Sequence, residues 1–106
     1  MDDDAVFKAL ADPSRRMLLD WLRERNGQSL ADLCQGLAMS RQAVAKHLGI
    51  LEDANLVATR RRGREKLHYL NPVPINRIAE RWISRFDQPR LDALSNLKRR
   101  LEGEES

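Results

Sequence analysis

At Asn55 the spacing of apolar residues changes from a helical period to an alternating one, and this change constrains the fold more than any other feature of the chain. Upstream of it, Ser40 has a side chain that accepts hydrogen bonds from a first helical turn, and Asn55 tolerates the left-handed conformation that ends many helices. A helix is therefore expected over residues 40–54. At about 100° per residue, Val44, His47, Leu48 and Leu51 share one face, with Gln42, Lys46 and Gly49 nearly opposite. The outward face is short of bulk. It offers an amide able to pair bidentately with adenine, a lysine for guanine or phosphate, and a glycine that permits close approach, as a helix entering a DNA major groove would. On this helix alone, an amphipathic helix with a merely solvated polar face fits equally well, so the flanks must decide.

Downstream, Leu56 to Arg61 and Lys66 to Leu70 read as two strands separated by Arg62-Gly63-Arg64-Glu65. Leu67 and Tyr69 fall on one face of the second strand, Lys66 and His68 on the other. Arg60, Arg61, Arg62 and Arg64 crowd the first strand and the tip, and their mutual repulsion needs an offsetting partner such as phosphate. Gly63 lets the backbone turn tightly while arginines project on either side, a shape suited to a narrow, negative minor groove. Charge follows the same geography. Residues 1–40 carry a net −2, residues 41–70 a net +4 and the remainder +1. Positive charge concentrated around a candidate groove helix is the footprint of nucleic-acid binding, whereas a solubility charge or a solvated basic hairpin would need no such placement.

Ahead of this unit, three aspartates precede a short helix whose Val6, Phe7 and Leu10 face either the core or a second subunit. Asp12 caps a second helix with Pro13 at its first position, running to about Arg25 and closed by Asn26-Gly27. Met17, Leu18, Trp21 and Leu22 are its expected core residues. Arg15 and Arg16, in the first turn, are expected to pair with nearby carboxylates, a DNA contact being the other option. Ser29-Leu30-Ala31-Asp32 has the form of a capping box; Leu30, Leu33, Cys34 and Leu37 line the short helix it starts. A three-residue turn, Ala38-Met39-Ser40, then leads into the groove helix, which makes residues 28–56 a helix-turn-helix and 57–70 its wing.

Beyond the wing, Asn71-Pro72-Val73-Pro74 stops the second strand and a helix starts near Pro74. Ile75, Ile78, Ala79, Trp82 and Phe86 mark its apolar face. Asp87-Gln88-Pro89 interrupts, and Leu91, Leu94, Leu97 and Leu101 continue in a shifted phase, giving two helices or one kinked at Pro89, with a frayed tail from Glu102. This apolar surplus predicts a dimer interface built from residues 1–11 and 74–102. The expected architecture is mainly α with a small β-hairpin: one winged helix-turn-helix domain over residues 1–106, with five to six helices and a two-stranded wing.

With 42% hydrophobic and 33% charged residues the chain is globular, and no apolar run approaches the roughly 20 residues a membrane span needs. The acidic start lacks the pattern of a signal peptide, and a single cysteine fits a reducing compartment, so a cytoplasmic location is expected. Neither histidine has an adjacent nucleophile or carboxylate cluster, and there is no phosphate-cradling glycine loop; the chain is not expected to be an enzyme. Cys34, on an apolar face, is expected to be a buried core thiol, a redox switch being the alternative.

Three stretches together carry a family resemblance: Ala9-Leu10-Ala11-Asp12-Pro13-Ser14-Arg15-Arg16, then Ser40-Arg41-Gln42-Ala43-Val44-Ala45-Lys46-His47-Leu48, then Arg61-Arg62-Gly63-Arg64 with Tyr69-Leu70 downstream. Over about residues 5–85 the chain resembles the ArsR/SmtB family of bacterial winged helix-turn-helix repressors. The resemblance implies a homodimer on a palindromic double-stranded operator, with Ser40, Arg41, Gln42, Ala43 and Lys46 at the major groove and Arg62 and Arg64 at the wing tip. Arg60 joins them from the arginine run, whereas His47 points back toward the protein by the helical count. The chain departs from the metal-sensing members. Cys34 has no paired cysteine and no histidine follows His68, so no metal site and no cofactor are expected, and the small-molecule effector is left unspecified. Sequence-specific transcriptional repression is the leading expectation, against a winged-helix protein interaction module whose basic wing meets an acidic partner.

Overall fold

Three of the four helices ahead of the wing start at a capping side chain: Asp12, Ser29 or Ser40. In the computed structural model, which describes residues 3–83 and 88–104, the elements follow in the order α1 (Asp3–Leu10), α2 (Pro13–Glu24), α3 (Leu30–Cys34), α4 (Arg41–Asp53), β1 (Val57–Arg62), β2 (Glu65–Leu70), α5 (Val73–Ile83) and α6 (Gln88–Glu104). Asp12 accepts the N–H groups of Ser14 and Arg15 at 2.8 and 3.2 Å, with Pro13 in the first turn of α2. Ser29 and Asp32 form the reciprocal capping box of α3, both bonds at 3.1 Å.

Residues up to Asn76 and those from Arg77 onward form two compact units. In the first, Val6, Leu18, Leu22, Leu33, Val44, Leu48, Leu51 and Leu56 meet in a fully buried core contributed by α1 to α4 and the start of the hairpin. Each such side chain contributes about 1.5–3 kcal/mol on leaving water. The strands pair antiparallel from Val57↔Leu70 to Arg62↔Glu65. The hairpin is tied to the body by a short third pairing: Gly27 N–H donates to the His68 carbonyl and His68 N–H to the Gln28 carbonyl, each at 2.8 Å. Gly27 sits at φ 83°, and a Cβ there would lie 3.1 Å from Tyr69 Oη, so the position needs glycine on both counts.

Several expectations are corrected. Met17 is exposed at the surface of α2, because the core face of this helix is made by Leu18, Leu19 and Leu22. The turn before α4 is twice as long as expected. Helix α3 stops at Cys34 and six residues, 35–40, lead on to α4, with Gly36 lying beneath the Trp21 indole. Cys34 is half-buried, not a core thiol, and His68, placed by alternation on the strand face of exposed Lys66, is buried where the hairpin pairs with Gln28.

Helix α5 starts one residue before Pro74, at Val73, whose N–H is accepted by Asn71 Oδ1 at 3.3 Å. Two helices are described on either side of residues 84–87, with Pro89 in the first turn of α6, and α6 runs on to Glu104, past the point where fraying was expected. In the second unit, α6 exposes Leu94, Leu97 and Leu101, each more than half accessible. Phe86, assigned to the apolar face of α5, lies outside the described residues. Among the described residues no helix is long and apolar enough to cross a membrane.

Candidate nucleic-acid interface

Helix α4 is held by its inner face and leaves its outer face free. Val44, Leu48 and Leu51 are buried, whereas Ser40, Arg41, Gln42, Ala45 and Lys46 are exposed and Ala43 is half-buried. Ser40 Oγ accepts the Ala43 N–H at 3.1 Å, fixing the start of the helix. At its end Asn55 adopts φ 62°, Leu56 N–H donates to the Leu51 carbonyl and Asn55 N–H to that of Glu52, both at 2.9 Å. This is a Schellman motif, with Leu51 and Leu56 as its buried hydrophobic pair, and it turns the chain directly into β1. A Cβ built on Gly49 meets nothing within 4 Å, so internal packing does not demand glycine there.

His47 faces inward, as the helical count predicts. Its Nδ1 lies 3.3 Å from Arg15 Nη1. Arg15 and Arg16 spend their short bonds on carbonyls rather than on carboxylates: Arg15 Nε donates to Ala9 at 2.8 Å, Nη2 to Lys8 at 3.0 Å, and Arg16 Nη1 to Leu10 at 2.7 Å. Among the described residues, only the longer 3.9 Å contact of Arg15 with Asp12 is of the expected kind. The reason is that α1 ends with carbonyls that no helical N–H can reach, and an arginine fork satisfies them.

The wing turns through Gly63, at φ 63°, and Arg64, the two-residue type II′ pattern. Arg60, Arg61, Arg62 and Arg64 are exposed, and among the described residues their side chains make no ion pair, nor do those of Arg41 and Lys46. Directly opposed residues of an antiparallel pair share a face, so Arg61 lies with Lys66, and Arg60 and Arg62 with Leu67 and Glu65. Arg61 was absent from the residues assigned to DNA, although strand alternation alone puts it on the face that carries Lys66.

Between one flank of α4, the start of α3 and the hairpin lies a half-open cleft of about 350 Å³, with Arg41, Ala45 and Glu52 on the α4 wall and Arg64, Glu65 and Lys66 on the hairpin wall. Lys66 Nζ bonds Glu52 Oε1 at 2.8 Å across it. His68 lines its base, and its Nδ1, 2.9 Å from the Gln28 carbonyl, carries the proton, because a carbonyl only accepts. No periodicity or spacing in the chain signals the Glu52–Lys66 pair, which joins residues of two separate elements.

Both capping carboxylates are held below the ordinary carboxylate range. At Asp12 burial pushes upward, but the N–H groups of Arg15 and Ser14 and then the charge of Arg15 outweigh it, with a last contribution from His47 in its imidazolium form. At Asp32 the Ser29 N–H and hydroxyl lower the value, with Arg25 adding a little, against a smaller opposing effect of burial. Among the described residues no three histidine, cysteine or acidic side chains group as metal ligands would.

Comparison with known proteins agrees with this geometry. Residues 10–60 match a family described as a helix-turn-helix domain. The HTH-type transcriptional regulator YuzN of Bacillus subtilis (strain 168), itself uncharacterized, is 43% identical over 86 residues, covering 76% of this chain and 94% of the relative. The transcriptional repressor SdpR of the same organism is 33% identical over 81 residues, covering 76% and 88%. The solved structure of an ArsR-like transcriptional regulator from Rhodococcus sp. RHA1 has a TM-score of 0.70 at 34% identity, covering 94% of this chain and 90% of that one.

Proposed function

Since the chain belongs to the ArsR family of winged helix-turn-helix transcriptional regulators, and is a DNA-binding regulator, we propose that it acts in the cytoplasm as a homodimeric repressor on a palindromic operator. Each protomer places α4 in a major groove and its wing on the flanking backbone or minor groove. One observation carries this assignment: Arg41 on α4 and Arg64 on the wing, neither with an ion-pair partner among the described residues, line one cleft from its two sides, and Lys46 and Arg60, Arg61 and Arg62 are exposed on the same two elements. A helix in a major groove and a wing in the adjacent minor groove have the phosphate strand between those grooves running between them. The cleft walled by Arg41 and Arg64 is where that strand passes.

Within this arrangement Gln42 and Lys46 read bases, Ser40, Arg41 and Ala43 approach the edge of the groove, and Arg60, Arg61, Arg62 and Arg64 hold phosphate or enter the minor groove. Exposed Phe7 on α1, Trp82 on α5 and the leucines of α6 supply the apolar surface from which the dimer is built. The role is regulatory and not enzymatic.

The experiment is a selection on randomised half-sites. Gln42→Ala relaxes preference at one or two base pairs, by roughly 1–3 kcal/mol each, while Arg62→Ala weakens cognate and random duplexes together. An unchanged preference for Gln42→Ala refutes the placement of α4. Sedimentation at micromolar concentration tests the dimer, and a full-length monomer refutes it.

A further inference from the structure

Arg15 is more deeply placed than its position in the first turn of α2 requires. Its side chain is only 14% exposed, and its guanidinium touches three elements at once. It donates to the Lys8 and Ala9 carbonyls at the end of α1, faces the Asp12 cap of its own helix, and donates to His47 Nδ1 on the inner side of α4. A guanidinium has donors only and keeps its charge, so His47 must present a bare Nδ1, with its proton on Nε2. Arg16 takes the Leu10 carbonyl, so carbonyls 8, 9 and 10 of α1 are all held by these two side chains. Helix α1 has eight residues, too few to be stable alone, and its orientation comes from what holds it. Val6 and Ala9 bury its inner side, but apolar packing leaves sliding and rotation less restricted than a planar fork does.

We propose that Arg15 is a positioning residue for operator reading: by clamping the end of α1 to His47 on the back of α4, it sets through α1 the distance between the two groove helices of the dimer. This rests on the homodimer proposed above, with α1 in its interface. If α1 is fixed against the partner and α4 is fixed against α1, the two α4 helices hold one separation, and only one half-site spacing is matched. Without the clamp each α4 still enters a groove, but the pair samples several separations, and the fraction competent for the correct spacing falls.

The test uses full-length protein and the palindromic duplex recovered by selection, together with a version lengthened by about half a helical turn between half-sites and one with a half-site scrambled. Arg15→Gln, confirmed folded by circular dichroism, is expected to bind the single half-site as the wild type does and to lose roughly tenfold or more of its discrimination between spacings, as loss of hydrogen bonds to a charged group implies. His47→Asn keeps an acceptor close to the place of Nδ1 and is expected to behave as wild type. His47→Leu removes the acceptor and is expected to follow Arg15→Gln, and this pair decides the matter if Arg15→Gln does not fold. Retained spacing discrimination in Arg15→Gln or His47→Leu overturns the proposal. So does an equal loss on the single half-site, which would place the effect within α4 alone, and so does a His47→Asn that fails like His47→Leu. A wild type that sediments as a monomer refutes the dimer, and with it the spacing role, before any variant is made.

Discussion

Replacing Arg64 with alanine removes one outward-facing cation per protomer from the tip of the wing, where it has no ion-pair partner among the described residues. Among the described residues Arg41, Lys46, Arg60, Arg61, Arg62 and Arg64 are the cations of α4 and the wing without an ion pair, so the proposed dimer would carry about twice that set to DNA. If six to ten of them meet phosphates, affinity falls with a log–log salt slope of roughly −5 to −9, a loss of about 10³ to 10⁵ between 50 and 200 mM salt. Arg64→Ala takes two contacts from the dimer and makes the slope shallower by about 1.8. Fluorescence anisotropy of a labelled duplex, titrated across this salt range, reads both numbers. Arg64 contributes nothing to the core, so the melting temperature should not move. A flat wild-type slope refutes the phosphate assignment of the whole surface, and an unchanged slope in the folded variant refutes that of Arg64.

The ion pair across the cleft gives the opposite expectation: Glu52→Gln frees Lys66 for phosphate, steepens the slope by up to about 1.8 and strengthens binding to random DNA, as the same titration would register. Acid sensitivity follows from the capping carboxylates. The folded-state pKa of Asp12 lies below its unfolded value, so its contribution is complete above about pH 4 and is lost as pH falls through the lower folded value. Asp12→Asn, which keeps an acceptor but does not titrate, is therefore expected to show a smaller drop in melting temperature than the wild type below about pH 4. Gly36→Ala puts a Cβ 2.5 Å from Trp21 Cη2, forcing the ring aside at a cost of about 1–3 kcal/mol, to be measured by urea unfolding followed by tryptophan fluorescence. Unchanged stability would mean that the indole yields freely.

The parts of this fold that could be read from sequence are those governed by neighbours in the chain. Asp12, Ser29, Ser40 and Asn55 act within a few residues of themselves, and each terminates or starts a helix as its chemistry dictates. The hairpin was equally legible because Gly63 and the alternation around it are local. What escaped depends on contacts between distant segments. His68 looked outward by strand alternation, and the pairing with Gln28, forty residues away, covers it. Met17 had helical spacing with Leu18, Trp21 and Leu22, but the buried face of α2 is centred on Leu18, Leu19 and Leu22, and Leu19 lies about 200° around the helix from Met17. Gly36, in the longer turn before α4, lies against Trp21 of α2, an approach no periodicity encodes. At the candidate site, exposure of Gln42 and Lys46 followed from the helical wheel, whereas the Glu52–Lys66 pair required the relative placement of helix and wing.

The outer face of α4 has a consequence for divergence. Gln42, Ala45 and Lys46 are exposed and Gly49 has open space above it, so what stands at these four positions is nearly independent of what keeps the helix seated. Substitution there changes the vocabulary of the helix without taxing its stability. If α4 reads the operator as proposed, gene duplication followed by drift at those positions yields sister regulators with new operators and an unaltered body, with descent recorded in Val44, Leu48 and Leu51 and specificity rewritten on the other side of the same helix.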